Sequence, residues 1–533
     1  MTTRTLSERG ASPVFESKFA GQFSAILHGF DRLRLRGTLR QLYCPRVMAA
    51  YLNSQRVLLK DFKELAERTT GALKAAAEAF AREWKRPIEY LNSSQRSKEG
   101  IAREIATRDG VSEGLIVLLK AVEPCRSYTV VGRRESRQLE LRLGTRKCLH
   151  FYFYFEHPVF GLMHLRLQSW FPFEINVCLN GHHWLARQLD AAGLGYRKRE
   201  NALVWVEDPV RAQEFLDEQV RFAWEPELER LVQLVHPTSA AICAPLGLRY
   251  YWSFSDSEYA SDVLFHDSRK LGRLYPHFVH HAMRSFQCGD VMRFLGRKVT
   301  TSGGVPGQFK GEIISDLKQR PEGIRVKHSL NSNSLKFYDK QGSVLRVETT
   351  IVRPEEFKVY RRPESQPDGD KRWLELRRGV ADSERRAQVS RAANERYLEA
   401  LAATTVSATL FEATRKVCRR TTWKHRRHRA LQPLSEADCQ LLQAVSRAEF
   451  NLQGFRVRDL IEHLGLPRSR SRAQARKTSA AIGRRIRILR AHHLVRKVGR
   501  SHRYILTHSG RQIITLLLAA LQADVDKLTA LAA

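Results

Sequence analysis

Hydrophobic and polar positions change period several times along the chain, and each change marks an expected element. In residues 19–39, FAGQFSAILHGFDRLRLRGTL, Leu33 and Leu35 alternate with Arg32, Arg34 and Arg36, which predicts an extended strand punctuated by Gly29 and Gly37. Asp31 enters that strand as an acid among cations. From Pro45 to about Lys85 apolar residues recur at three and four with alanine between them, a helical pattern, and a second helix is expected from Ser97 to Asp109. GLIVLLKAVEPC is continuously apolar up to Glu123 and reads as a strand buried on both faces. LELRL, CLHFYFYFE, GLMHLRLQSWF and FEINVCL read as four more strands, followed by a helix from about His182 to Ala192 and a strand pair around Asn201. The aromatics at 151–155 alternate too densely for one-sided burial, so half of them should fill core. Residues 210–300, YYWSFSDSEYASDVLFHD included, read as mostly helical, which puts Glu258 one helical turn before Asp262.

The run from Asn331 to Val352, NSNSLKFYDKQGSVLRVETTIV, predicts a β-hairpin turning at Gln341-Gly342. By the period of two, Lys336, Tyr338 and Lys340 share one face of the first strand, and Arg346, Glu348 and Thr350 share one face of the second. If the two faces coincide, a phenol, an acid and several cations meet on one patch. A solvated sheet face with an ion pair is the plainer reading of the same pattern.

Toward the C-terminus the pattern turns helical again. After a polar, Gly/Pro-rich linker or long loop at 361–372 and a charged helix near 382–402, SEADCQLLQAVSRA and FRVRDLIEHLGLP predict two short helices. A long basic helix follows with Ala480, Ile482, Ile486 and Leu489 as its buried stripe, then two short strands around Gly499 and a helix from Ser509. That order resembles a winged-helix (helix-turn-helix) domain, which implies a recognition helix in the major groove and a wing on the backbone or minor groove. The expected organisation is multidomain α/β: an N-terminal domain at 1–125, a sheet-rich middle region at 126–300, the hairpin region at 301–375, a helical and basic linker at 376–430 and the winged helix at 431–533. TSGGVPG, from 301, is the clearest flexible connection before the hairpin.

Charge narrows the partner. Ninety Lys and Arg stand against 56 acids, a formal net charge of +34, which argues for a polyanion. Between 415 and 511 there are 25 Lys or Arg and 5 Asp or Glu, a net +20. Arg476, Lys477, Arg484, Arg485, Arg487 and Arg490 fall on or just before the expected recognition helix, and Arg496, Lys497, Arg500 and Arg503 on the wing. Double-stranded DNA is the expected partner and RNA the alternative; nothing in the pattern points to a membrane, and no oligomeric state is implied. The absence of an apolar secretory segment and the eight scattered cysteines, none in CxxC spacing, fit a cytoplasmic chain with reduced thiols and no structural zinc.

Several motifs fail on context. GVSEG at 110–114 fits GxSxG but lies between a helix and a strand in the reverse of the order a nucleophile elbow needs. His277, His280 and His281 lack the adjacent glutamate of a zinc protease helix. What remains is a set of acids in apolar or cationic surroundings: Asp31, Glu123, Asp262 and Glu348. Asp31, Glu123 and Asp262 follow one another in an order that resembles the acidic triad of RNase H-like nucleases and transposases, which implies Mg²⁺ held by those three carboxylates. LKFYDKQGSVLRVE is similar to the YxK…LRxE stretch of rolling-circle replication initiators, which implies Tyr338 as nucleophile and Glu348 as metal ligand, although the family's histidine metal motif is missing from the chain. HGFDRLRLRGTL, FPFEINVCLNGHHW and YDKQGSVLRVET together resemble a bacterial family that looks like mobile-element cargo. The expectation is a metal-dependent DNA strand-cleaving enzyme of a mobile element, nuclease- or transposase-like. A non-enzymatic winged-helix regulator and an RNA-binding or RNA-guided effector are the alternatives.

Overall fold

The computed structural model describes residues 13–92, 96–133, 138–300, 305–320, 323–366, 368–404, 414–447, 449–450, 454–466, 471–499 and 501–524. The expected connection at 301–304 and Arg500 lie outside the described residues. The chain is mixed α/β with a large mixed sheet and 15 α-helices among the described residues, and it divides into two compact units, Met1–Thr405 and Val406–Ala533.

The first unit is built on eleven strands in one sheet. They are β1 (Phe23–Thr38), β2 (Ile88–Tyr90), β3 (Gly114–Gly132), β4 (Leu139–His157), β5 (Gly161–Gln168) and β6 (Ile175–Asn180). A separate hairpin, β7 (Tyr196–Arg199) and β8 (Ala202–Val206), intervenes before β9 (Tyr251–Phe265), β10 (Ile313–Arg320), β11 (Gly323–Leu330), β12 (Asn333–Lys340) and β13 (Val344–Ile351). In space they run β10-β11-β12-β13-β9-β1-β6-β5-β4-β3-β2, with β2 and β3 parallel and the other neighbours antiparallel. The boundaries expected at 125, 300 and 375 therefore fall inside one unit. β1 pairs with β6 and β9, and β9 with β13, so backbone hydrogen bonds cross every composition shift that suggested a border.

β9 replaces the helix expected around 251–265. Acids four apart share a face in a strand as well as in a helix, so Glu258 and Asp262 suit both periods; cross-strand pairing on both edges, with β1 and β13, decides for the strand. Ser257, Tyr259 and Ser261 then face the helix Ser383–Ala402, where Asn394 donates to the Tyr259 carbonyl and to Ser261 Oγ. Glu258, Ala260 and Asp262 face the other way. The same alternation splits the aromatic run of β4: Phe151, Phe153 and Phe155 join the main core, while Tyr152 and Tyr154 pack with Ile101 and Ile105 of the helix Lys98–Asp109. That helix starts where expected, on Ser97, whose side chain accepts from the Gly100 amide.

The polar segment at 361–372 is the loop of a small hairpin, β14 (Lys358–Arg361) and β15 (Arg372–Glu375). In the second unit a short hairpin, β16 (Thr421–Trp423) and β17 (Arg426–His428), precedes helices Glu436–Val445, Val457–His463 and Arg472–Ala491. A further hairpin, β18 (Val495–Lys497) and β19 (Tyr504–Leu506), leads to helix His508–Leu521, and Phe455 bridges to Tyr504 as a third extended partner. Leu441, Phe455, Leu460, Ile482, Ile486, Leu489 and Ile514 form a core within this unit. Ala480 is exposed and leaves the expected stripe, whose next member is Ala491.

Candidate functional site

Three carboxylates from three strands converge on the face of the sheet opposite the helix Ser383–Ala402. Ligand oxygens of Asp31, Glu258 and Glu348 lie within 4.8 Å of one another, and all three residues are buried. Each arrives by a simple piece of strand geometry. Phe30 is paired with Tyr259 and Arg32 with Glu258, so Asp31 is the extra residue of a bulge in β1, a device that re-aims a side chain at the cost of one ladder position. Glu258 and Glu348 stand on the same face of β9 and β13, whose register sets Glu348 opposite Ala260 and Thr350 opposite Glu258.

The two faces of the β12–β13 hairpin do coincide. Lys336 is opposite Glu348 and Tyr338 opposite Arg346. Gln341 and Gly342 turn with φ of 59° and 79°, and because Lys340 pairs with Val344 the loop holds three residues, Gln341 to Ser343, rather than two. Tyr338 Oη donates to Glu348 Oε2 at 3.0 Å. Lys336 Nζ lies 2.7 Å from Glu348 Oε1 and 3.6 Å from Glu258, but off the hydrogen-bonding direction, so Oε1 is buried without a directed donor. Arg32 forms an ion pair with Glu258. Burial pushes the Glu348 carboxyl up to about 7; Glu258 and Asp31 add to the rise and Lys336 opposes it. Burial and the nearby Glu348 likewise hold the Tyr338 phenol well above its ordinary range.

Beneath the trio lies a second charge group. Arg346, wholly buried, forks onto Asp262 with Nε and Nη2 both at 2.7 Å and reaches Asp31 Oδ1 through Nη1 at 3.1 Å. Its Nη2 also donates to the Asn201 carbonyl. His182 bridges the aspartates, Nδ1 at 2.8 Å from Asp31 Oδ1 and Nε2 at 3.0 Å from Asp262 Oδ2. Burial would raise the Asp31 and Asp262 pKa values, but Arg346 and His182 outweigh it, keeping Asp31 well below the usual carboxylate range and Asp262 at about 2. Arg346, His182 and the Asn201 amide all meet Asp31 on Oδ1. That convergence fixes the carboxylate and leaves its second oxygen out of these contacts. His182 is brought there by the helix Gly181–Ala191, capped by Asn180 and pressed so closely on β1 that a Cβ at Gly181 would sit 1.6 Å from the Phe30 carbonyl oxygen.

A cavity of about 540 Å³ opens over this face, with Asp31, Glu258, Lys336, Tyr338, Glu348 and Asn201 in its wall. The trio is the sole His/Cys/Asp/Glu group of metal-binding geometry among the described residues. Three buried carboxylates whose ligand oxygens converge, with Glu348 pushed toward its neutral form by burial, fit a hard divalent cation.

The set Asp31, Glu123 and Asp262 is not what the fold assembles. Asp31 is in the trio; Asp262 lies next to it but is taken up by Arg346 and His182. Glu123 stands on β3, four strands from β1, where Tyr152 Oη donates to it at 2.6 Å and Lys98 and Arg166 neutralise it. Glu348 and Tyr338 are both at the site. Sequence reading placed Lys336 and Arg346 on the hairpin's patch but missed Glu258 as a ligand and His182 beside it; the spacing of Glu258 from Asp262 suits helix and strand alike. In the second unit Arg476, Lys477, Arg484, Arg487, Arg496 and Lys497 are exposed, and Arg485 and Arg503 half-buried. Arg490 is half-buried, its guanidinium 4.9 Å from the centre of the Trp423 ring. Comparison with protein-family models, curated proteins and solved structures finds no match for this chain.

Proposed function

We propose that the protein is a metal-dependent DNA strand-cleaving enzyme of a mobile element in which Tyr338 is the nucleophile. The observation that carries this reading is the Tyr338 hydroxyl hydrogen-bonded to Glu348 on the wall of a cavity that also holds a buried carboxylate trio. Asp31, Glu258 and Glu348 would hold the cation, Mg²⁺ being the expected one; when bound it stabilises charge on the phosphoryl oxygens. Tyr338 Oη forms a bond to phosphorus and one bridging P–O bond of the strand breaks. Glu348, whose Oε2 already accepts the Tyr338 hydrogen bond, takes the phenol proton. Lys336, against the same carboxylate, is placed to return a proton to the leaving sugar oxygen. The product is a phosphotyrosyl adduct and a free hydroxyl end.

The second unit supports a duplex-DNA reader of winged-helix type. Its helix order, its hairpin and the Phe455–Tyr504 bridge agree with that layout, and Arg484 and Arg487 stand exposed on the helix Arg472–Ala491.

The test is direct. Wild type and Tyr338→Phe are incubated with labelled single- and double-stranded DNA and RNA plus Mg²⁺ or Mn²⁺, then denatured. Label retained on wild-type protein and lost in Tyr338→Phe is the expected result. Metal-dependent nicking unchanged in Tyr338→Phe would replace the tyrosine with activated water, and cleavage of RNA alone would change the substrate.

A further inference from the structure

A second chamber adjoins the first, and Tyr338 and Lys336 stand in the wall of both. Its volume is about 270 Å³, and Arg320, Arg325, Lys340 and Asp339 complete its polar lining. The polar face of the sheet therefore carries a charge boundary. On one side of Tyr338 lie the three carboxylates, with Lys336 held against two of them; on the other lie Arg320, Arg325 and Lys340.

The cations arrive by register. Arg325 on β11 is directly opposite Tyr338 on β12, just as Arg346 on β13 is opposite Tyr338 from the other side. A buried or half-buried guanidinium normally has a carboxylate beside it, as Arg346 has two. Arg325 is half-buried, has no acidic partner among the described ion pairs, and keeps its Nε buried with no hydrogen-bond acceptor. Arg320, at the exposed end of β10, pairs across the turn with Gly323. Lys340 is nearly buried, with Nζ 3.5 Å from Glu200. Asp339 has one carboxylate oxygen buried without a donor, and burial pushes its pKa up to about 6, so its negative charge is partly withdrawn below neutrality.

We infer that this chamber is a phosphate subsite, in which Arg325 and Arg320 grip a backbone phosphate of a single nucleic-acid strand next to the phosphate that meets Tyr338. The inference rests on the strand-cleavage reading for what happens at Tyr338, but not for the binding itself. A guanidinium fork suits a phosphodiester's paired oxygens, and the strand would cross from cationic to acidic chamber so that the reacting phosphate lies at the boundary. Lys336, shared by both walls, faces either phosphate.

The test measures binding and adduct formation separately, on the full chain. A fluorescein-labelled single-stranded oligothymidine is titrated by anisotropy across a salt series, for wild type, Arg325→Ala, Arg325→Lys and Arg320→Ala. Lys63→Ala, which removes an exposed charge from the helix Phe62–Glu83, is the control, and thermal melts check folding. Arg325→Ala is expected to weaken binding about tenfold and Arg320→Ala by less, each lowering the slope of log K on log salt by about 1, with Arg325→Lys between. Inorganic pyrophosphate should compete with the oligonucleotide on wild type and lose most of its effect on Arg325→Ala. Folded Arg325→Ala and Arg320→Ala proteins with wild-type affinity and slope would overturn the subsite, even if wild type forms the tyrosyl adduct. Weakened binding in these variants, with no adduct from any wild-type reaction, would keep the subsite and discard the cleavage reading.

Discussion

Glu348 shows how one buried side chain links chemistry to stability. Its folded pKa, near 7, lies above the ordinary 4.5 because burial disfavours the charge. The folded state therefore binds a proton more tightly than the unfolded one, and this group's contribution is greatest below pH 4.5 and is lost as pH rises toward 7. Without divalent cation, the melting temperature of wild type relative to Glu348→Gln should fall across that window and then level, a change worth roughly 2–3 kcal/mol. A difference that stays flat from pH 4.5 to 8 would remove the buried-carboxylate account. Mg²⁺ or Mn²⁺ should raise wild-type melting above pH 7, where Glu348 is ionised, and should do less for Asp31→Asn. Arg346→Met is a different case. It leaves Asp31 and Asp262 buried without their main partner, and a loss of about 3–5 kcal/mol is expected in denaturant melts; a loss below about 1 kcal/mol would show that His182 alone suffices.

Packing of elements is as restrictive as the chemistry. The helix Gly181–Ala191 touches β1 beside its bulge, and a methyl at Gly181 would meet a backbone carbonyl rather than a movable side chain. Gly181→Ala should therefore push the helix away, cost about 2–4 kcal/mol, and withdraw His182 from the aspartates. Divalent-cation affinity should fall with it. If Gly181→Ala melts like wild type, the close approach of helix and strand is not what positions His182. In the second unit the helix Arg472–Ala491 buries Ile482, Ile486 and Leu489 and turns Arg484 and Arg487 outward. If either arginine reads a base, its replacement by alanine should weaken duplex binding by about 1–3 kcal/mol and relax sequence preference. Equal losses on all sequences would mark a phosphate contact instead.

In the molecule as a whole, the C-terminal core and the carboxylate site fall in different units. The core of residues 417–517 lies within the second unit, and the sheet, the trio and both chambers lie within the first. Residues 406–533 alone should fold and bind duplex DNA with a steep salt dependence, and residues 1–405 should bind divalent cation and form the adduct without them. Failure of the first fragment to show a cooperative melt would mean that its core is not sufficient. The contrast in charge follows the same division: 415–511 carries a net +20, whereas the first unit pairs many of its cations with acids across its sheet.

Local pattern was enough for the elements whose signal is local. The strand around Asp31, the helix from Ser97, the Gln341-Gly342 turn and the run of helices and hairpin after 435 could be read from periodicity and turn chemistry, because the backbone preferences that form them act over a few residues. Tyr338 and Glu348 stood out for the same reason: charge on alternate positions of a strong strand is anomalous wherever the strand goes. Glu258 could not be assigned in this way, since a spacing of four from Asp262 satisfies helix and strand alike. Nor could Glu123 be set aside, because an acid at the end of an apolar strand looks the same whether Lys98 and Arg166 or a metal neutralises it. Those choices belong to pairings between β1 and β9, which join residues more than two hundred positions apart, and between β9 and β13, which join residues 80 or more apart; the bulge at Asp31, the fork of Arg346 and the seat of His182 exist only once those strands are in register. Register across such distances is set by burial summed over the whole sheet, and no window of the chain contains it.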